Sequence, residues 1–450
     1  MTTEDGIAPE TAISQPKLEK EANVARVEKS VEATPKKEAE KPFDFKFYVT
    51  DHSPRFADTG SPDKLRALYR DIKKDGIEQV RYDWDWNLIE QNRGEINSDQ
   101  LERFKSAAQI MKEEGLDPLI ILSNPPEWAK KLYKENPGEF VTSYKNYTAE
   151  VKKAVEAAGV KPETVQVLNE LNNPAYTPVT DMEVIGQLCD AAREAFPEGK
   201  IMVSFLAAAI PEAVSKSGLS ENVRTFLPKL KTISDKFDKV AIDYYPGGWQ
   251  RPISGEGGKI VNLIKRVVLP GTAAYKEMFK DMSLFQETAE EVASWGKQYE
   301  LGETGFPTKG AYWGNEQRQR YFYDSFFRHF KHLMVDFKAR GVPLPDKLGL
   351  YQAQNEPPRN FIGKLMRKTP YPEFDWGMRD EKGNRKAILQ GSLRASELVR
   401  VQQESRLSRI IHYMKSPMRE TQAIETQQDN QELQEVRKEL SLEVLTPHEV

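Results

Sequence analysis

Two glutamates far apart in the chain are the residues whose positions best suit them for chemistry. Glu170 ends the segment Val165-Gln166-Val167-Leu168-Asn169-Glu170, and Glu303 lies in Leu301-Gly302-Glu303-Thr304-Gly305-Phe306-Pro307. Each follows a short run that is typical of a β-strand. Cleavage of a glycosidic bond through a covalent intermediate needs one ionised carboxylate as nucleophile and one protonated carboxyl as acid, facing each other across the anomeric carbon. The pair therefore predicts this chemistry, which requires no cofactor and no metal.

The Asn-Glu dipeptide is a weak signal by itself because the chain contains it three times. The three copies are Asn169-Glu170, Asn315-Glu316 and Asn355-Glu356. Only the first directly follows an apolar β run. Position therefore selects Glu170 over the other two glutamates.

Eight short apolar runs alternate with helical patterns in the middle of the chain. The runs are Phe45–Val49, Gln79–Tyr82, Pro118–Leu122, Val165–Leu168, Ile201–Phe205, Val240–Tyr244, Gln298–Leu301 and Leu348–Tyr351. Eight strand-helix units are what an α/β fold of the (β/α)8 TIM-barrel type requires. A doubly wound sheet uses the same alternation but binds its ligand at one switch point. Polar and aromatic residues here follow almost every strand, which favours the barrel.

The predicted barrel carries an extension at each end. Residues 1–42 contain no aromatic residue and are rich in Glu, Lys, Ala, Thr and Pro, so we expect a disordered tail. Residues 43–391 form the expected catalytic domain. Residues 392–450 are expected to be a helical or disordered extension, which could mediate self-association. The longest connection, from Tyr245 to about Lys297, is predicted to be a lid over the barrel mouth.

Charge and cysteine content argue against several classes of partner. The 65 basic and 69 acidic residues give a net charge of −4 and are spread through the chain, so no nucleic-acid partner is expected. The single cysteine, Cys189, excludes an internal disulfide and a multi-cysteine metal site. The sequence shows no secretory signal and no apolar stretch of about 18 residues. We therefore expect a cytoplasmic protein with no membrane partner.

A set of motifs in a fixed order carries a family resemblance. In chain order they are Val80-Arg81-Tyr82-Asp83-Trp84-Asp85-Trp86, Ser123-Asn124-Pro125-Pro126-Glu127-Trp128, Asn169-Glu170, Asp243-Tyr244-Tyr245-Pro246 and Glu303-Thr304-Gly305-Phe306-Pro307. Together they resemble the clan of retaining (β/α)8 glycoside hydrolases that carry catalytic glutamates at the ends of strands four and seven. The resemblance covers roughly residues 43–391.

The resemblance implies roles for the residues that match the motifs. It makes Glu170 the acid/base, Glu303 the nucleophile and Asn169 the neighbour that binds the sugar 2-hydroxyl. Arg81 after strand two, and a tyrosine after strand six, would contact the nucleophile and hold it ionised. Of the two adjacent tyrosines, Tyr245 is favoured over Tyr244.

Aromatic residues after the strands are candidates for substrate binding, because flat rings offer apolar faces to sugar rings. We expect Trp86 and Trp128 to contact the substrate first, and Trp249 is a further candidate. Tyr351 stands where this clan often has a tryptophan beneath the sugar. Leu168 replaces the tryptophan usual before the strand-four Asn-Glu.

The expected activity is hydrolysis of a β-linked oligo- or polysaccharide by double displacement. One alternative is a catalytically inactive barrel that binds carbohydrate or protein. Another is a transglycosylase that uses the same two glutamates. If Glu170 and Glu303 face each other across one cleft, the hydrolase or the transglycosylase is favoured over the inactive binding barrel.

Overall fold

The structure is a computed structural model that describes residues 46–174, 176–207, 221–245, 282–306, 308, 316–355, 377–380 and 382–386. The predicted tail and C-terminal extension, most of the predicted lid, and Trp249 lie outside these residues. The domain boundaries after residues 42 and 391 also lie outside them and stay predictions.

Eight parallel strands close into a barrel, with the chain order of the strands kept around it. They are β1 Lys46–Thr50, β2 Gln79–Asp83, β3 Asp117–Leu122, β4 Thr164–Val167, β5 Lys200–Leu206, β6 Lys239–Asp243, β7 Gln298–Thr304 and β8 Lys347–Leu350. β1 pairs with both β2 and β8, which closes the sheet. The predicted (β/α)8 fold and its eight strands are confirmed, and the doubly wound alternative is wrong.

Helices follow the strands around the outside of the barrel. Those in the described residues are Pro62–Lys74, Trp86–Ile89, Ser98–Glu113, Glu127–Glu135, Pro137–Ala157, Met182–Ala195, Val223–Lys231, Met282–Ser294 and Glu316–Arg340. Gly76 and Gly115 come just after the helices that precede β2 and β3, with φ of 82° and 74°. Glycine adopts this left-handed conformation without a Cβ clash, so each of these helices ends just before its glycine.

The hydrophobic core lies on both faces of the closed sheet. A large cluster packs the outer face of the strands against the helices, and Ile120 and Leu122 of β3 belong to it. A smaller, fully buried cluster consists of Leu119, Ile121, Met202 and Ala241. Alternate residues of a strand point to opposite faces, so the smaller cluster fills the barrel interior. This cluster lies in the barrel interior beneath the polar residues at the carboxyl ends of the strands.

The amino-terminal end of the barrel holds charges that are already paired. Lys239 and Glu300 are fully buried and form an ion pair of 3.0 Å. A cavity of about 650 Å³ at this end is rich in lysine, and one of these lysines, Lys347, binds Glu163 at 2.8 Å. Barrels of this fold carry their active sites at the other end, so this cavity is not the candidate site.

Within the part of the chain that the structure describes, no helix has the length and apolar character needed to cross a membrane.

Candidate active site

Glu303 is the second-to-last residue of β7 and is only 5% exposed. The strand runs to Thr304, three residues further than the predicted run, so Glu303 lies within it rather than after it. Both of its carboxylate oxygens accept hydrogen bonds. Arg81 Nη1 donates to Oε1, and the Tyr245 hydroxyl donates to Oε2. The carboxylate is thus held from two sides, by β2 and by the residues that follow β6.

Arg81 is fixed by further contacts that leave it little freedom. Its Nε donates to Gln166 Oε1 at 3.0 Å, and its Nη2 donates to Asn169 Oδ1 at 2.8 Å. The side chain is 1% exposed. Burial alone would lower the pKa of Arg81, but the acidic groups around it, Glu303 first among them, together outweigh burial, and the pKa is raised. A permanent positive charge therefore lies against the Glu303 carboxylate.

Tyr245 stays a hydrogen-bond donor over the whole working range of pH. Burial, followed by the negative charge of Glu303, raises the pKa of Tyr245 well above its ordinary value. Its neighbour Tyr244 is fully buried and packs on Phe285 with ring centroids 5.6 Å apart. The two adjacent tyrosines therefore point to opposite faces of the strand end, and Tyr245 is the one at the site.

Glu170 lies three residues after β4 in a strained turn. Leu168 and Glu170 have φ of 57° and 45°, a left-handed conformation that residues with a Cβ rarely adopt. The backbone N–H of Glu170 donates to Ser204 Oγ at 2.9 Å, and Asn173 Nδ2 donates to Glu170 Oε2 at 2.6 Å. These contacts hold the carboxyl, which is 5% exposed, at the mouth of the barrel.

The carboxyl groups of Glu170 and Glu303 meet at the centre of the mouth. Together with Asp243 they form a group in which one carboxylate oxygen of each residue lies within 4.8 Å of the others. This spacing would also suit a metal ion, but Arg81 and Tyr245 already bind both oxygens of Glu303. The guanidinium of Arg81 supplies a positive charge beside Glu303.

Asp243 is the site residue that sequence reasoning missed. It ends β6, is fully buried and pairs in register with Glu303 across β6 and β7. A Cβ on Gly302 would lie 2.1 Å from Asp243 Oδ1, so only glycine at position 302 leaves room for this carboxyl. Burial, followed by the charge of Glu303, raises the pKa of Asp243 well above its ordinary value, although Arg81 opposes the shift.

Gln166 and Ser204 form a polar layer beneath the glutamates. Gln166 Nε2 donates to Ser204 Oγ at 2.9 Å and to the Leu168 carbonyl at 2.8 Å, while its Oε1 accepts from Arg81. Both residues are fully buried. The available signal was a polar residue at an inward-facing position within an otherwise apolar strand. The layer fixes Arg81 and the turn that carries Glu170 in one hydrogen-bonded network.

Three rings line the mouth beside Glu303. Tyr351 follows β8 directly, and its ring lies edge-on to those of Tyr245 and His52, at centroid distances of 6.0 and 5.8 Å. It is half-buried, so part of the ring faces the opening. This placement is compatible with the predicted role of Tyr351 in the innermost subsite, which stays a prediction.

A charged cluster borders the same side of the mouth. Arg55 Nη2 lies 2.8 Å from Asp83 Oδ2, and Arg55 Nε lies 2.6 Å from Asp85 Oδ2. Burial would raise the pKa of Asp83, but the positive charges around it, Arg55 first among them, together with a hydrogen bond from Ser123 outweigh burial, and the pKa is lowered. At Asp85 burial dominates over Arg55, and the pKa is raised. Asp83 comes two residues after Arg81 on β2 and shares its inward face, so it borders the carboxyl group cluster.

Trp86 lies in the core rather than in the mouth, and this corrects the prediction that it contacts the substrate. Its ring is fully buried, stacks on Tyr147 at 5.0 Å between centroids and meets Trp128 edge-on at 5.4 Å. Its Nε1 donates to Glu90 Oε2 at 2.8 Å. The short helix Trp86–Ile89 turns the ring onto helix Pro137–Ala157, which leaves no face for a sugar.

Trp128 keeps part of its ring exposed. Its Nε1 donates to the Glu90 carbonyl at 3.1 Å, and the Arg93 guanidinium lies 5.7 Å from the ring centroid. Trp128 therefore remains a candidate for substrate contact. The third tryptophan candidate, Trp249, lies outside the described residues.

The fold and the site together define a class of protein. A closed (β/α)8 barrel presents its functional residues at the carboxyl ends of its strands. Two carboxyl groups that face each other at that end are the arrangement found in (β/α)8 barrels that cleave glycosidic bonds.

Comparison with known proteins agrees with this class. A family model described as glycosyl hydrolase family 53 matches residues 73–267, which is less than half of the chain. The matched part includes Arg81 and Glu170 and ends before Glu303. No curated protein sequence matches the chain significantly.

Solved structures share the fold at low sequence identity. An exo-β-1,4-mannosidase from Opitutaceae bacterium strain TAV5 is 17% identical with a TM-score of 0.55, over 80% of this chain and 60% of that chain. The GH53 catalytic domain of Ignisphaera aggregans is 17% identical with a TM-score of 0.51, over 80% and 98%. A GH5_18 protein from Streptomyces cattleya, in complex with GlcNAc, is 14% identical with a TM-score of 0.53, over 79% and 80%.

The chain thus spans less than two thirds of the mannosidase that it resembles. At these identities the structural likeness shows the fold. Together with the partial family match, it confirms the predicted resemblance to the clan of (β/α)8 glycoside hydrolases.

Proposed function

We propose that the protein hydrolyses a β-linked oligo- or polysaccharide by double displacement, with retention of the anomeric configuration. The observation that carries this proposal is the spacing of Glu170 and Glu303, whose nearest carboxylate oxygens lie within 4.8 Å. Retaining enzymes hold their two carboxyl groups about 5 to 5.5 Å apart, whereas inverting enzymes leave room for a water at about 6.5 to 9.5 Å.

The unequal surroundings of the two glutamates support distinct roles. Glu303 accepts hydrogen bonds from a cation, Arg81, and from the Tyr245 hydroxyl. Opposite charge and donors favour a carboxylate, which is the form that a nucleophile needs. Glu170 accepts from the neutral amide of Asn173 and lies beside other acidic groups. A carboxyl in such a place can hold the proton that the leaving group requires.

In the first step Glu303 attacks the anomeric carbon while Glu170 protonates the leaving oxygen. The bond from the anomeric carbon to this oxygen breaks, and an ester to Glu303 forms. In the second step Glu170, now a base, takes a proton from water, and the water oxygen displaces Glu303 from the anomeric carbon. Both carboxyl groups return to their starting protonation states.

Asn169 is placed to bind the substrate next to the reacting carbon. Its Oδ1 accepts from Arg81 Nη2, so its amide N–H groups are the part of the side chain that can donate to a hydroxyl. A hydrogen bond to the sugar 2-hydroxyl that strengthens in the transition state lowers the barrel enzyme's activation free energy. Asn169 is adjacent to Glu170 in the chain, which fits this position.

The inference of a β-linked substrate follows the clan resemblance. Two structural neighbours carry names that specify the linkage, the exo-β-1,4-mannosidase and a β-glycosidase, BGL167. The sugar itself depends on the loops around the mouth.

The test uses a panel of aryl β-glycosides with the wild type, Glu170→Ala, Glu303→Ala and Glu316→Ala. Glu316 is a matched control, because it follows an asparagine as Glu170 does but lies exposed at the start of a helix. We expect both site variants to lose activity by about 10³-fold or more, and the control to keep it. Azide should restore turnover of Glu170→Ala and yield a β-glycosyl azide.

Equal activity in all four proteins would discard the proposal. Failure of the wild type to cleave any glycoside that it binds would indicate a binding barrel. A product that carries an added sugar in place of water would indicate a transglycosylase.

A further inference from the structure

The site contains a third carboxyl group that double displacement does not require. Asp243 is fully buried, and within the described part of the chain neither of its carboxyl oxygens has a hydrogen-bond partner of good geometry. A buried polar group without a partner is costly and needs an explanation. The absence of a side chain at Gly302 leaves space for the Asp243 carboxyl, because a Cβ at position 302 would clash with Asp243 Oδ1.

Groups from five other parts of the barrel surround this carboxyl. Its charged or titratable neighbours on other strands are Tyr48 on β1, Arg81 on β2, Glu170 after β4 and Glu303 on β7. The Ser204 hydroxyl lies close to it on β5, and Tyr245 follows it on its own strand end. Among these groups Arg81 is the one cation, and Tyr48 and Tyr245 are neutral because burial raises the pKa of both.

The charges cannot balance if all three carboxyl groups ionise. Arg81 offers one positive charge, and its Nη1 is bound to Glu303. Glu170 must keep a proton to serve as the acid. An ionised Asp243 would add an uncompensated negative charge within 4.8 Å of both glutamates, where all three residues are buried. It would also draw on the positive charge that Glu303 needs.

We propose that Asp243 remains a neutral carboxylic acid throughout the reaction and acts as a positioning residue for Glu303. In this form its O–H can donate a hydrogen bond to a neighbouring carboxylate, as the N–H of an asparagine amide could. A neutral Asp243 also does not compete with Glu303 for the positive charge of Arg81. This proposal rests on the proposed hydrolase function, since it assigns Asp243 to support the same nucleophile.

The first test compares the pH profiles of kcat/KM for the wild type, Asp243→Asn and Asp243→Ala. Asparagine matches aspartic acid in shape, donates a hydrogen bond and never ionises. We expect Asp243→Asn to stay within about threefold of the wild type, with both limbs of its profile unmoved. We expect Asp243→Ala to lose activity by about 10-fold or more, with the acidic limb moved to higher pH, because alanine has no O–H to turn toward the Glu303 carboxylate during the reaction.

Two results would overturn the proposal. If Asp243 works as a carboxylate, Asp243→Asn removes a negative charge next to both glutamates, and both limbs move to lower pH. If Asp243 has no role in positioning, Asp243→Ala keeps the wild-type profile. Thermal unfolding of both variants shows whether a lost activity reflects a lost fold.

A second measurement does not depend on turnover and so separates this proposal from the proposed function. A protonated carboxyl has an infrared C=O band that a carboxylate lacks. The difference spectrum between wild type and whichever Asp243 variant folds should contain this band at neutral pH. A carboxylate band in its place would overturn the proposal, whether or not the protein cleaves glycosides.

Discussion

Arg81 donates a hydrogen bond to Glu303 across the barrel, although the two residues are 222 positions apart in the chain. β2 and β7 are not neighbours in the sheet, so this contact exists only because the barrel is closed. Closure brings the guanidinium of one strand to the carboxylate of another, and the inward face of the strands gives both a buried setting. The setting of the proposed nucleophile therefore depends on closure of the barrel.

Replacing Arg81 by lysine should lower kcat/KM by about 10²- to 10³-fold, mostly through kcat. A lysine keeps the charge, but its ammonium group cannot donate to Glu303, Gln166 and Asn169 at the same time in the geometry of a guanidinium. Arg224→Lys is the matched control, because Arg224 is exposed and pairs with Glu287 at the surface. Steady-state kinetics on an aryl glycoside measure the effect. Equal values for Arg81→Lys and Arg224→Lys would count against the role of Arg81.

Removing only the hydroxyl of Tyr245 should lower kcat by about 10- to 100-fold, since one donor to the Glu303 carboxylate is lost. The adjacent Tyr244 provides the control, because its ring packs against Phe285 rather than at the site. Tyr244→Phe should stay within about threefold of the wild type. A larger loss in Tyr244→Phe than in Tyr245→Phe would show that the wrong tyrosine has been assigned.

The raised pKa of Asp243 predicts how stability depends on pH. A carboxyl whose pKa is higher in the folded state stabilises the fold below its ordinary pKa of 3.8, and this stabilisation is lost as the pH rises toward the folded-state value. The free energy of unfolding of the wild type should therefore fall relative to that of Asp243→Asn above about pH 4, by at most about 1.4 kcal/mol per pH unit. Urea unfolding of both proteins across this range measures the difference, and parallel curves would contradict the prediction.

Trp86 and Trp128 should respond in opposite ways to replacement by alanine. Trp86 is fully buried, so Trp86→Ala should lower the free energy of unfolding by about 3–5 kcal/mol. Trp128 is half-buried near the mouth, so Trp128→Ala should raise KM several-fold with a smaller loss of stability. Chemical unfolding and kinetics on the same two variants check this. A stable Trp86→Ala protein with a raised KM would restore the substrate role that its burial argues against.

The sequence predicts the frame of this protein well, because apolar runs of strand length and glycine stops of helices are local signals. Each of the eight strands lies where its run predicts. The predicted end of β7 is three residues too early, because Gly302 and Glu303 resemble loop residues in sequence. Pairing with β6 and β8 keeps them in the strand.

The site is predicted only in part, because its residues meet through closure of the barrel. The glutamates follow strand runs and are visible in sequence, whereas Asp243 and Ser204 resemble ordinary strand positions. Strand register places Asp243 beside Glu303, and a hydrogen bond from the Glu170 backbone N–H places Ser204 beside Glu170. Trp86 shows the opposite error. A tryptophan after a strand can face the mouth or the core, and the fold of a distant helix, Pro137–Ala157, decides which.

The stereochemistry of the first product tests the central claim most directly. Proton NMR can follow the anomeric hydrogen while an aryl β-glycoside is cleaved, before the free sugar equilibrates. Double displacement by Glu303 and Glu170 predicts that the β-anomer appears first and the α-anomer later. Initial appearance of the α-anomer would show a single displacement and contradict the account.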